Sequence, residues 1–174
     1  MERDVELVYG GASVGIMGEV ADAVLAGGGT AIGVIPRSMT ERELAHSGLT
    51  ELHVVANMHE RKALMASLAD AFMALPGGAG TMEELFEVWT WAQLGLHAKP
   101  IGLLDVAGYF QPLLRFTDHM VTEEFLTSSS REMLVVDTDP ARLLDRYASY
   151  QPPREKWWDN LPGGDAAERI RELS

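Results

Sequence analysis

The chain has no cysteine, which excludes disulfides and any thiolate metal site and leaves the redox compartment open. Lysine is almost as scarce: only Lys62, Lys99 and Lys156 occur in 174 residues. No apolar run approaches the roughly 20 residues that a membrane span needs. The start, Met1-Glu-Arg-Asp-Val5, lacks the basic and apolar stretches of a secretory signal. A cytoplasmic protein without membrane contacts is the default expectation. Positive charge is in short supply, with 14 Lys and Arg against 26 Asp and Glu and a formal net charge of -12. That balance argues against a nucleic-acid partner, because such binding draws its affinity from cationic contacts to phosphates. A small phosphorylated ligand is still compatible, since one arginine and a few backbone N–H groups can hold a phosphate inside an acidic protein. Most of the acidity reads as solubility.

Apolar residues make up 47% and charged residues 23%, the range of an ordinary globular protein. The length suits one domain, read here as residues 1–150, followed by a tail over 151–174. Short β-rich runs alternate with longer amphipathic ones. The runs 5–9, 30–35, 52–56, 71–75, 101–104 and 133–136 read as strands. The segments 14–26, 58–68, 81–96, 109–124 and 139–147 read as helices, the first with Met17, Val20, Ala21, Val24 and Leu25 at spacings of three and four. Asp139 is a plausible cap for the last, with Pro140 at its first position. Strands apolar on both faces, alternating with helices, imply an α/β fold with a doubly wound, Rossmann-like parallel sheet covered on both faces. Ligands of such sheets bind at the carboxyl ends of the strands. The tail holds Pro152-Pro153, Trp157-Trp158 and Pro162-Gly163-Gly164. Its tryptophans are expected to pack rather than to carry chemistry.

Two glycine-rich segments fall at strand ends. In Leu75-Pro-Gly-Gly-Ala-Gly-Thr-Met-Glu-Glu-Leu85 a strand ends, three glycines follow, and a helix is expected from Thr81. Glycines let the backbone approach a ligand closely, and the N–H groups and dipole of the next helix favour an anion there. The competing reading is a capping box between Thr81 and Glu84. Three glycines exceed what a cap needs, which favours phosphate binding. The segment Tyr9-Gly-Gly-Ala-Ser-Val-Gly-Ile-Met-Gly18 repeats the strand, glycine turn and helix start, without the dinucleotide fingerprint or the Lys-Ser/Thr ending of a P-loop. In Met58-His-Glu-Arg-Lys62, Arg61 offers a planar fork for phosphate or carboxylate; taken alone, the run reads as a solvated first turn. His46, His53, His59, His97 and His119 show no metal spacing, so no metal is expected. Thr90-Trp-Ala-Gln-Leu-Gly-Leu96 is apolar around most of a helix, which fits a subunit interface and plain deep burial equally.

Together, Pro76-Gly-Gly-Ala-Gly-Thr-Met-Glu-Glu84 and the upstream Met58-His-Glu-Arg-Lys62 resemble the LONELY GUY (LOG) family. Supporting stretches are Val8 to Gly18, Gly33-Val-Ile-Pro36, Leu49-Thr-Glu-Leu52 and Thr90 to His97, so that the likeness runs from about Val5 to about Tyr147. The resemblance implies a cytokinin riboside 5′-monophosphate phosphoribohydrolase, a hydrolase that cleaves an N6-modified adenosine monophosphate to free base and ribose 5-phosphate. It implies Arg61 and Glu84 as the catalytic pair. Gly77, Gly78, Gly80 and Thr81 become the phosphate loop, and Gly10, Gly11, Gly15, Met17 and Gly18 the first nucleotide-binding turn, with Lys62 alongside. It implies no cofactor, and a homodimer through helices that include Trp89 and Trp91. Family members usually begin with a further strand and helix, so the resemblance implies that this chain starts at the second strand.

Two other functions fit the same motifs. One is an AMP or general nucleotide nucleosidase, because the motifs address phosphate, ribose and glycosidic bond rather than the base. The other is a nucleotide- or cofactor-binding protein of this fold without turnover, against which the presence of both Arg61 and Glu84 weighs. Lysine decarboxylation, an older description of the family, is rejected: it would need a Schiff-base lysine for pyridoxal phosphate, and none of the three lysines sits in such a context.

Overall fold

The computed structural model describes residues 4–40 and 45–153. Trp157 and Trp158, and most of the expected tail, lie outside the described residues. The chain divides into two compact units, Met1–Asp70 and Ala71–Ser174. Each carries a three-stranded parallel sheet with helices, and the architecture is α/β and Rossmann-like.

In the first unit the order is β1 (Leu7–Tyr9), α1 (Gly15–Ala26), β2 (Ala31–Pro36), a single turn α2 (Arg37–Thr40), β3 (Glu51–Val55) and α3 (Met58–Leu68). β2 lies between β1 and β3, with Val8 opposite Ile32 and Ile32 opposite Glu51. Five of its six residues are buried, as the middle strand of a parallel sheet requires. β3 is an edge, and Leu52 and Val54 on it stay exposed. α3 begins where the sequence places it, and its start is capped. The Asn57 side chain accepts from the Glu60 N–H (2.9 Å), and Glu60 reaches back to accept from the Ala56 N–H (2.9 Å). The reciprocal cap considered for Thr81 and Glu84 is found here instead.

In the second unit β4 (Phe72–Ala74) is followed by α4 (Ala79–Gln93), β5 (Ile101–Leu104), a 3₁₀ turn at Val106–Gly108, α5 (Gln111–Thr122), α6 (Ser128–Glu132), β6 (Leu134–Asp137) and α7 (Pro140–Ala148). β5 is the middle strand, pairing Phe72 with Ile101 and Ile101 with Leu134. The core gathers Leu85, Trp89, Ile101, Leu103, Phe110, Leu114, Met133 and Leu134. Trp89 is 2% exposed, and its indole N–H donates to the Ser130 carbonyl at 2.9 Å. A buried indole needs such a partner, so Trp89 is a core residue of its own unit and not a surface for a second subunit. The expected cap of α7 is present: Asp139 accepts from the Arg142 N–H at 2.8 Å. α2 and α6 are too short to show a helical period in sequence. Among the described residues no helix is long and apolar enough to cross a membrane.

His97 closes the chain after α4. Its Nε2–H donates to the Val88 carbonyl (2.8 Å) and its Nδ1 accepts from the Lys99 N–H (3.2 Å), while the ring leans on Phe72. The contact from Lys99 needs the neutral ring, and burial lowers the pKa from its ordinary 6.5, against the opposing pull of the Val88 carbonyl. The folded state therefore binds this proton less readily than the unfolded chain. The stabilisation is complete above the ordinary value and is lost as pH falls through the lowered one. Between about pH 7.5 and 5.5, the urea midpoint of wild type is expected to fall more than that of His97→Phe. Parallel midpoints in the two proteins would remove His97 as a source of acid sensitivity.

Candidate active site

The carboxyl end of β1 runs directly into Gly10 and Gly11. Gly10 has an ordinary backbone conformation, so flexibility is not the reason for a glycine there. A side chain would occupy the same space as the Arg61 guanidinium: its Cβ would overlap Nη2 and lie 2.9 Å from Cζ, with the Met17 sulfur at 3.4 Å. Arg61 projects from the first turns of α3, is only 6% exposed, and donates from Nε to the Val34 carbonyl at 3.0 Å. The solvated reading of Met58-His-Glu-Arg-Lys62 thus holds for its exposed residues Met58, His59 and Glu60 and fails for Arg61, the one that faces inward. A charge is left in a buried place only when hydrogen bonds hold it. The sheet supplies one from the backbone of β2, and the missing Cβ of Gly10 supplies the room.

The rest of this turn is built for close approach. Gly11 has φ +73° and Gly15 φ +59°, the left-handed region that favours glycine. A Cβ on Gly18 would collide with the Ser13 carbonyl, so this glycine lets the loop fold against the start of α1. α1 begins at Gly15 with no side chain capping it and no acidic residue in its first turn. Its N–H groups and dipole are therefore open to an anion. Met17 is 38% exposed and sits over Gly10 rather than in the core. Lys62 follows Arg61 on α3 and is half-buried.

In the second unit the glycine-rich loop leaves β4 and enters α4 at Ala79, two residues before the sequence reading placed the helix. Gly78 is the cap position and carries no side-chain hydrogen bond to the helix. Thr81 is thus the third helical residue rather than a cap, and its hydroxyl fills the place that a Cβ on Gly77 would take. Gly78 and Gly80 are exposed, and a Cβ on either would meet nothing within 4 Å. The three glycines do two things: Gly77 makes room for Thr81, and Gly78 and Gly80 leave open space in front of an uncapped helix start. Glu84 lies four residues after Gly80, on the same helix face. Cα–Cβ bonds of a helix tilt toward its N-terminus, so the Cβ of Glu84 is directed toward this end of α4.

Two residues that sequence reasoning passed over also belong here. Tyr109 donates from its hydroxyl to the Gly77 carbonyl at 2.5 Å. The buried carboxylate of Asp105, just beyond β5, accepts from the Phe110 N–H at 2.7 Å and from the Gln111 side chain at 2.5 Å. A polar residue ending an apolar strand was the available signal for Asp105. Tyr109 gave none beyond its place at a helix start. Among the described residues no three His, Asp or Glu side chains come together to hold a metal ion.

Glycine turns at the carboxyl ends of β1 and β4, each opening an uncapped helix, place the chain among Rossmann-like α/β proteins. A family model described as "possible lysine decarboxylase" matches residues 17–147. A probable cytokinin riboside 5′-monophosphate phosphoribohydrolase of Oryza sativa subsp. japonica is 51% identical over 154 residues, covering 88% of this chain and 62% of the relative. A cytokinin riboside 5′-monophosphate phosphoribohydrolase of Rhodococcoides fascians is 57% identical over 136 residues, 78% of this chain and 69% of that protein. One from Arabidopsis thaliana is 48% identical over 156 residues, 90% and 73%. The chain belongs to this family, the LOG family. It spans less than two thirds of the length of the rice relative.

The Gly10 geometry has a direct consequence. Gly10→Ala must displace the guanidinium or strain the loop, and is expected to lower stability by about 1–3 kcal/mol in urea unfolding. An alanine variant as stable as wild type would show that the space beside Gly10 is not the guanidinium's.

Proposed function

We propose that the chain hydrolyses the N-glycosidic bond of an N6-modified adenosine 5′-monophosphate, releasing the free base and ribose 5-phosphate. The observation that carries this reading is the pair of glycine turns, one holding a buried arginine and one opening the helix that bears Glu84, in a chain about half identical to phosphoribohydrolases. Water attacks C1′ of the ribose, the C1′–N9 bond breaks, and the base leaves with its bonding electron pair and takes up a proton. As the base departs, positive charge grows on the sugar ring. The Glu84 carboxylate stabilises that charge and orients or deprotonates the attacking water. Arg61 positions ligand oxygens. Gly77, Gly78, Gly80 and Thr81 receive the 5′-phosphate at the start of α4, where the dipole favours it. Gly10, Gly11, Gly15, Met17, Gly18 and Lys62 line the nucleotide. The decarboxylase named in the family's description would need a Schiff-base lysine, for which the sequence around Lys62, Lys99 and Lys156 gives no sign.

A chromatographic assay of base released from AMP, isopentenyl-AMP and other nucleoside monophosphates tests the reading. Glu84→Gln should still bind nucleotide and lose about two to four orders of magnitude in turnover, the usual range for a missing acid–base group. Arg61→Ala should lose turnover as well. Near-normal base release by either variant would sink the assignment. Release from AMP as fast as from isopentenyl-AMP would instead favour a general nucleosidase.

The expected homodimer is proposed on a narrower surface than the sequence suggested. Trp89 is interior, whereas Trp91 is half-buried and Leu94 and Leu96 beyond it are exposed. Leu96→Asp should shift sedimentation equilibrium toward monomer. A variant that stays fully dimeric would remove the end of α4 from the interface.

A further inference from the structure

We infer that Tyr109 is a positioning residue that aims the Gly77–Gly78 peptide of the glycine-rich loop at the phosphate of the ligand. The inference rests on the phosphate-binding reading of that loop. Tyr109 is 49% exposed, yet its hydroxyl makes a short hydrogen bond, 2.5 Å, to a carbonyl 32 residues away in sequence. An exposed tyrosine has water available for its hydroxyl, so packing does not require this contact.

The consequence follows from peptide geometry. No peptide bond in the chain is cis. In a planar trans peptide the carbonyl and the N–H point in opposite directions. Holding the Gly77 carbonyl toward Tyr109 therefore turns the Gly78 N–H away from Tyr109. Gly78 is exposed, and open space lies around it. The peptide has glycine on both sides and would otherwise swing freely. Tyr109 removes that freedom before the ligand arrives, which is how preorganisation raises affinity.

Tyr109 is itself held. The Asp105 carboxylate anchors the following residues Phe110 and Gln111, and the Asp105 N–H donates to the Asp137 carbonyl at 2.8 Å. Between these anchors Ala107 has φ +52° and Gly108 φ +76°. A left-handed alanine persists only where the surrounding structure enforces it. The Tyr109 ring meets Phe110 edge-on, at 5.2 Å and 88°. A tight, strained turn beyond β5 thus presents one hydroxyl to the loop beyond β4. The Gly78 N–H would contact phosphate, which is remote from the bond that breaks. Its loss removes binding common to ground and transition states, and such a loss raises KM and leaves kcat unchanged.

The test compares wild type with Tyr109→Phe, which keeps the ring and deletes only the hydroxyl. Affinities for ribose 5-phosphate and for adenosine are measured by calorimetry, alongside melting temperature and nucleotide kinetics. The variant should bind ribose 5-phosphate about three- to tenfold more weakly, the range for one hydrogen bond. Adenosine binding, melting temperature and kcat should match wild type, with KM for the monophosphate raised by the same factor. Unchanged affinity for ribose 5-phosphate overturns the inference. So does an equal loss for adenosine and ribose 5-phosphate, which would mark Tyr109 as merely structural. If wild type binds ribose 5-phosphate and the variant does so more weakly, but neither releases base from any monophosphate, the inference stands and the proposed reaction fails. Wild type that does not bind ribose 5-phosphate overturns both.

Discussion

A guanidinium cannot be buried without hydrogen-bonding partners and room, and the first unit is arranged around meeting that demand for Arg61. The cost of removing an arginine from water is several kcal/mol, as an order of magnitude, unless its hydrogen bonds are replaced. Part of the replacement comes from the end of β2, whose Val34 carbonyl accepts from Nε. For that carbonyl to be in reach, α3 must start at one particular residue, and the Asn57–Glu60 capping pair sets that start. For the guanidinium to reach its place beside the loop after β1, position 10 must have no side chain. Strand, cap and glycine therefore answer to one charge, and a change in any of them moves it.

The two glycine-rich turns share a pattern in sequence and differ in what their glycines do. After β1, Gly10 makes room for an arginine from another element, Gly18 makes room for the Ser13 carbonyl, and Gly11 and Gly15 adopt left-handed conformations. After β4, Gly77 makes room for the hydroxyl of Thr81, and Gly78 and Gly80 face open space. Close packing and open approach are opposite uses of the same missing Cβ. Both turns end on helices that no side chain caps. Elsewhere this chain caps helices freely, with Asn57, Thr127 and Asp139 all accepting from backbone N–H groups. α5 also starts without a side-chain cap, after Phe110, so it is a bare start directly behind a strand-end glycine turn that makes α1 and α4 read as places for a ligand's charge.

Where the sequence reading went astray, the reason is physical in each case. From the sequence α4 is expected to begin at Thr81, because glycines ordinarily end regular structure; it instead extends back to Ala79 and takes Gly80 into its first turn. The family resemblance places Trp89 at a subunit interface, on a helix whose continuation from Thr90 to Leu96 is apolar around most of its circumference. Periodicity cannot distinguish a side covered by the unit's own α6 region from one covered by another molecule, and the Ser130 carbonyl settles it for Trp89.

Residue type and order by themselves determined the alternation of strands and helices, the most buried runs, the two glycine turns and the family. These depend on local period and on short motifs, and both are written along the chain. The tertiary structure alone decided that Arg61 is buried, that Trp89 is interior, and that Tyr109 grips the glycine loop. Each of those outcomes turns on a backbone carbonyl distant in sequence: Val34 lies 27 residues from Arg61, Ser130 lies 41 from Trp89, and Gly77 lies 32 from Tyr109. A carbonyl is the same in every residue, so no pattern of side chains announces which one will accept.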